Sequence, residues 1–216
     1  ILLSGGLDST TCLALAASQG RECLALSFDY GQRHAHELGC AARHAARWDA
    51  EHRVVDLSHF GQLVAPVSSM VATGPAVPDA GGEGVPSTYV PARNTVFLSY
   101  ALAWAEVAGA GEVWIGVNAL DFSGYPDCRP AFVDAFRAVA ALAGRSSVEI
   151  VTPLLHFDKA AIACLAAELG VDAADTLTCY RPSPGGLACG GCDARVLRRQ
   201  GFERAGLPDP TRYRPD

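Results

Sequence analysis

Short, unbroken apolar runs alternate along this chain with longer stretches in which apolar positions recur near the helical period. Ile1-Leu2-Leu3 opens as a buried strand, Gly5-Gly6 turns the chain, and residues 11–19 read as a helix closed by Gly20. Residues 23–28 are continuous and apolar, the pattern of a strand buried on both faces. An alanine-rich helix is predicted over 34–48, and a short strand over 52–57. Periodicity is then lost across 58–92, where Pro66, Pro75, Pro78, Pro86 and Gly81-Gly82 predict a long irregular loop or lid. A helix over 93–107 and a strand over 112–117 come next. Pro130 suits the first turn of a helix that runs to Leu142, with Gly144 beyond its end. Residues 148–151 make a fifth strand, and Asp158 caps a helix that ends at Glu168 before Gly170. Such alternation predicts an α/β fold, a doubly wound and mostly parallel sheet over residues 1–172. Residues 173–216 read as a small, cysteine-bearing helical segment packed on it. No internal repeat or low-complexity tract is evident.

Composition narrows the class. Half of the 216 residues are hydrophobic and 19% are charged, the balance of a globular enzyme. A net charge of -6 speaks against a broad nucleic-acid footprint, which needs Lys and Arg for the phosphates. No apolar run approaches the ~20 residues that span a bilayer, so no membrane partner is expected. No cationic, apolar leader precedes Ile1, and eight cysteines without an export signal fit a reducing compartment; a cytoplasmic location is expected. Cys12, Cys23, Cys40 and Cys164 sit in periodic stretches as small core residues. His36, His44, His52 and His59 share no spacing and are expected at the surface.

In open parallel sheets ligands lie outside the carboxyl ends of the strands, so the residues just past each strand end are the ones to search for chemistry. The first strand runs into Ser4-Gly5-Gly6-Leu7-Asp8-Ser9-Thr10, where two glycines, three hydroxyls and a helix start suit an anion. Its plain structural reading is a strand–turn–helix with Asp8 or Ser9 as N-cap. There is no G-x-x-x-x-G-K-[ST], hence no P-loop lysine. Asp29-Tyr30-Gly31-Gln32-Arg33-His34 comes after the second strand, and Asn118 to Arg129 after the fourth. Thr152-Pro153-Leu154, with Lys159 shortly beyond, comes after the fifth, and Val90-Pro91-Ala92-Arg93-Asn94 opens a helix.

S-G-G-x-D-S resembles the pyrophosphate loop of the ATP pyrophosphatases, the PP-loop superfamily. Together with F-D-Y-G-Q-R-H, V-P-A-R-N, D-F-S-G-Y-P-D-C-R and T-L-T-C-Y…C-G-G-C, it resembles the 7-cyano-7-deazaguanine synthase family of queuosine biosynthesis. These runs extend from residue 4 to residue 192, nearly the whole chain. The resemblance implies an ATP-dependent ligase that converts 7-carboxy-7-deazaguanine and ammonia to the nitrile, releasing AMP and pyrophosphate. It implies ATP and Mg²⁺ as cofactors, a small-molecule partner and no direct nucleic acid, and it leaves a homodimer open. ATP is expected on Leu2, Leu3, Ser4, Gly5, Gly6, Leu7, Asp8, Ser9, Thr10, Thr11 and Cys12. Asp8, Ser9, Arg93 and Lys159 are the expected catalytic set, with Asp8 holding Mg²⁺ or orienting the loop and the two cations at the α-phosphate. A guanine-like edge is expected on Asp121, Tyr125 and Asp127, with Phe122 or Tyr125 stacked on its face. Read structurally, the same stretch is a turn before a helix with Asp127 near the cap. The alternatives are a related PP-loop ligase acting on another carboxylate, and a nucleotide-binding regulator without turnover.

Near the C-terminus the resemblance breaks. Cys179, Cys189 and Cys192 resemble a structural Zn²⁺ site, but the family's C-G-x-C-x-x-C has Arg195 in its fourth place here. No histidine occurs after His156 to replace it. Three thiolates with water, Asp193 or a residue distant in sequence give zinc; the competing reading is an emptied site, with Arg195 paired to a thiolate or carboxylate.

Overall fold

The computed structural model describes residues 1–81, 84–120, 124–145 and 147–214. In chain order these form α1 (Leu7–Ser18), β1 (Leu24–Asp29), α2 (His36–Arg47), β2 (Glu51–Asp56), α3 (Ser58–Val64) and α4 (Arg93–Ala108). β3 (Glu112–Trp114), α5 (Pro130–Ala143), β4 (Glu149–Val151), α6 (Lys159–Glu168) and α7 (Asp193–Arg204) complete the order. β1 and β2 pair in parallel from Leu24↔Glu51 to Asp29↔Asp56, and β3 and β4 from Glu112↔Glu149 to Trp114↔Val151. Residues 1–3 join the two ladders: Leu3 N–H donates to Leu26 O and Leu2 N–H to Trp114 O, both at 2.9 Å. The spatial order is therefore β2, β1, residues 1–3, β3, β4. Chain order reverses beside the first strand, which is where such sheets open a crevice.

Alternate residues of these strands face two cores. Leu2, Leu26, Phe28, Val113 and Ile115 pack toward α4 and α5, with Leu98, Ala101 and Phe136. Leu3, Ala25 and Trp114 pack toward α1, α2, α6 and α7, with Leu13, Ala41, Ile162 and Phe202. β1 has both faces covered, as its unbroken apolar run predicts, whereas β2 is the exposed edge. Pro130 stands in the first turn of α5, and Asp158 accepts from Ala161 N–H at 2.8 Å as the N-cap of α6.

Four expectations are corrected. α1 begins at Leu7 rather than residue 11, because extended Gly6 is its N-cap; Asp8 and Ser9 lie inside the first turn, not at the cap. The stretch over 58–92 is not wholly irregular, since its first seven residues form α3. The β3 ladder ends at Trp114, three residues before the expected end. His44 is not a surface residue: it is 1% exposed, with Nε2 3.2 Å from Asp175 O. His52 is half-buried against the Ser27 hydroxyl, while His36 and His59 are exposed. All eight cysteines are free thiols. Among the described residues no helix is long and apolar enough to cross a membrane.

Candidate functional site

At the crevice the chain must turn from strand to helix in three residues. Gly5 does so at φ +81°, and a Cβ there would stand 2.2 Å from Glu37 O on α2. Both the backbone conformation and the close approach exclude a side chain. Two hydroxyls then brace the loop. Ser9 Oγ accepts from Ser4 N–H at 3.1 Å and donates to Gly6 O at 3.2 Å, while Ser4 Oγ accepts from Gly6 N–H at 3.3 Å. Gly6 offers no side-chain cap, so the first N–H groups of α1 reach the crevice with the positive end of the helix dipole. Gly116, just past β3, lets this floor form: a Cβ there would lie 3.1 Å from Asp8 C and Ser9 N.

Asp8 projects from that first turn into a triad. Lys159 Nζ donates to its Oδ1 at 3.0 Å and Oδ2 at 2.8 Å, and Asn118 Nδ2 to its Oδ2 at 3.2 Å. Lys159 is 8% exposed, whereas the Asp8 side chain keeps 26% of its surface open, so the ammonium is shielded and the carboxylate still faces the crevice. Arg93 stands at the start of α4, after Ala92, which is held at φ +55° in the left-handed region. Burial works against its charge, and the Asp127 carboxylate nearby favours it. Desolvation in turn pushes Tyr30 up to about 12 and the Cys128 thiol up to about 11, so both stay protonated.

These groups surround a cavity of about 290 Å³, at the lower end of the ~300–1,000 Å³ usual for small-molecule sites. Ser4, Gly6, Asp8 and Ser9 form its polar floor, with Leu2, Leu3 and Leu7 beside them. Phe28 and Phe97, stacked at 4.0 Å, make an apolar wall with Leu26 and Met70. Arg93, Tyr125, Lys159, Tyr180 and His34 close the remainder. Gly5, Thr10, Thr11 and Cys12 are not in the wall: Gly5 presses on α2, and the other three are fully buried within α1. The Tyr125 hydroxyl donates to Thr88 Oγ1 at 2.8 Å and lies 3.2 Å from the Tyr180 hydroxyl. Asp127 is buried beside the cavity and accepts from Asn94 N–H through Oδ2 at 3.0 Å, at the open start of α4. Asp121 and Phe122 lie outside the described residues.

Sequence reasoning passed over Gly116, Phe97 and Glu37. A glycine inside an apolar strand pattern signals close backbone approach, and Glu37 stands one helical turn from His34; both signals were present. Phe97 had none, because an aromatic at helical spacing reads as core.

Behind the cavity, the sulfurs of Cys179, Cys189 and Cys192 lie within 4.8 Å of one another. A hydrogen bond from the Cys192 thiol, aided by Cys189 N–H at 3.2 Å, holds Cys179 below the usual thiol range. Arg195 does not face them. It is 1% exposed, pairs with Asp209 at 2.9 Å and also donates to the Tyr213 hydroxyl. Asp193 accepts from Gly81 N–H instead of turning to the sulfurs. Three thiols are thus gathered in a geometry that fits zinc, with no fourth protein ligand among the described residues.

A profile of the family described as queuosine biosynthesis protein QueC matches residues 1–206. The chain is 54% identical over 220 residues to the 7-cyano-7-deazaguanine synthase of Methylococcus capsulatus, across 99% of this chain and 97% of that protein. The synthase of the same name from Thiobacillus denitrificans is also 54% identical, across 99% and 96%. Among solved structures, NMN synthetase from Francisella tularensis matches with a TM-score of 0.55 at 19% identity, across 95% of this chain and 76% of that one. A predicted tRNA methyltransferase subunit from Methanocaldococcus jannaschii matches at 0.50 and 16%, across 100% and 90%. At such identities these two structures speak for the fold alone, and they agree with the doubly wound α/β architecture.

Proposed function

This chain belongs to the queuosine biosynthesis protein QueC family, and we propose on that footing that it converts 7-carboxy-7-deazaguanine and ammonia to 7-cyano-7-deazaguanine at the expense of ATP. The observation that carries the reading is an uncapped helix start, floored by Ser4, Gly6 and Ser9, at the foot of a cavity with an aromatic wall. That combination suits an anionic tail and a flat heterocycle on one ligand. A carboxylate is a poor electrophile until adenylation gives it a leaving group. Ammonia then forms the amide, and adenylating the amide oxygen allows the nitrile to form as AMP leaves. Each activation needs departing pyrophosphate to be stabilised, which fixed N–H donors do without reorganising. Asp8 is the residue that would hold Mg²⁺, which supplies further neutralisation of the leaving group when bound. Arg93 and Lys159 are the proposed α-phosphate cations. Tyr125 and Asp127, with Asp121 and Phe122, are the proposed contacts to the deazaguanine.

Incubation with ATP, 7-carboxy-7-deazaguanine and ammonium should give the nitrile, AMP and pyrophosphate by mass spectrometry. ADP and phosphate as substrate-dependent products would overturn the reading.

For zinc we propose Cys179, Cys189 and Cys192 as ligands, with the fourth position open. The ion would act as a local clamp, because a core of this size does not depend on a terminal staple. Purified protein should carry zinc by elemental analysis and lose it to a chelator with its circular dichroism unchanged. Arg195→Cys should retain zinc longer while being less stable overall, since Asp209 loses a partner. A zinc-free protein whose variant gains none would reduce the cluster to ordinary thiols.

A further inference from the structure

His34 is 6% exposed and lines the cavity, yet among the described residues only one of its ring nitrogens is engaged. Nε2 meets Glu37 Oε2 at 3.1 Å, and Nδ1 is buried with no partner among the described residues. Glu37 is itself buried, and its other oxygen accepts from Gln32 Nε2 at 3.3 Å. Gln32 is anchored in turn on Phe28 O and Tyr30 N–H, so the carboxylate has little freedom. An imidazole that donates Nε2–H to a fixed carboxylate keeps a lone pair on Nδ1. The dyad also sits against the phosphate loop, because it is Glu37 O that Gly5 approaches so closely.

We propose that His34, oriented by Glu37, is the base that takes up the protons released from nitrogen during amide and nitrile formation. This rests on the ligase reading. When ammonia attacks the adenylated carboxylate, the nitrogen lone pair forms the C–N bond. The C–O bond to AMP breaks with its electron pair going to AMP, and one N–H proton passes to Nδ1. In the second half, ATP adenylates the amide oxygen and releases pyrophosphate. Both remaining N–H protons then leave, the C–N bond becomes triple, and AMP departs with the C–O pair. Nδ1 takes these protons in turn and yields each to water that enters the cavity as AMP leaves. Other described titratable groups in the wall are unsuited. Tyr30 and Cys128 are held protonated, Tyr125 and Tyr180 are likewise pushed up by burial, Arg93 does not deprotonate, and Asp8 and Lys159 pair with each other.

Two measurements on the full chain separate this role from a structural one. Pyrophosphate–ATP exchange driven by 7-carboxy-7-deazaguanine without ammonia reports adenylation, which removes no proton from nitrogen. Ammonium-dependent formation of amide and nitrile reports the rest. His34→Ala and His34→Asn should keep exchange within about threefold of the parent and lose product formation by ~10²–10⁴-fold, the usual contribution of general base catalysis. Glu37→Gln should show the same split with a smaller loss. Unchanged product formation in the His34 variants overturns the assignment. So does loss of exchange and product together in all three, because His34 would then only be supporting the loop. If the parent protein forms no nitrile from ATP, 7-carboxy-7-deazaguanine and ammonium, the ligase reading fails rather than the role of His34.

Discussion

Asp209→Ala is expected to destabilise the folded chain by ~3–5 kcal/mol, the range for breaking a buried ion pair from one side. Two arginines on α7 depend on that carboxylate. Arg195 Nη2 donates to Oδ2 at 2.9 Å, and Arg198 Nε to Oδ1 at 3.2 Å. Arg198 is wholly buried and spends its other donors on Thr176 Oγ1, Thr178 Oγ1 and Ala173 O. Removing the carboxylate leaves two cations in the interior without the charge that pairs with them. Leu177, Thr178 and Tyr180 on the adjoining stretch of chain line the cavity, so the site should loosen with the network. A urea titration measures the loss, and a value below ~1 kcal/mol would show that the network is replaceable.

The same carboxylate sets an acid limit. Burial raises its pKa, but the Thr211 hydroxyl and the two arginines more than offset this and hold it at about 2. Unfolded aspartate titrates near ~4. A folded pKa below the unfolded one contributes stability that is present above ~4 and is lost as pH falls toward about 2. The stability gap between wild type and Asp209→Ala should therefore be constant at neutral pH and narrow through that window.

Much of the architecture was legible because it depends on local patterns. An unbroken apolar run at 23–28 can be satisfied only by burial on both faces, and β1 is so placed. Pro130 and Asp158 fix their helix starts through backbone geometry that any fold must respect. The loop from Ser4 to Thr10 was legible as residue types, although the helix starts four residues early because extended Gly6 frees Asp8-Ser9-Thr10 to enter it. Long-range pairs were not. Arg195 read as a disturbance at a metal site or as the partner of an unnamed thiolate or carboxylate, and Arg198 drew no reading; only folding identifies Asp209 as the carboxylate they share. His44 is buried for the same reason, since Asp175 reaches it from 131 residues away in sequence. Asp8 and Lys159 were both expected at the phosphates. Their pairing with each other depends on α1 and α6 packing side by side, which no local pattern states.

Asp8→Ala is expected to lower kcat/KM by ~10²–10³-fold, as for the loss of one preorganised electrostatic group. Asp8 lies in the first turn of the helix that floors the site, and it holds both Lys159 and Asn118. Truncating it removes the proposed Mg²⁺ contact and also frees a shielded ammonium to swing. Lys159→Met should by itself cost a similar factor if the ammonium serves the α-phosphate. The pair geometry makes a stronger claim than either single variant, because groups that act as a unit do not add. If Lys159 works only from the position Asp8 gives it, the double variant should be no slower than the worse single one. If each contacts ATP independently, the two losses should multiply. Full activity in Asp8→Ala would remove this floor from the chemistry and leave the uncapped helix start as a structural turn alone.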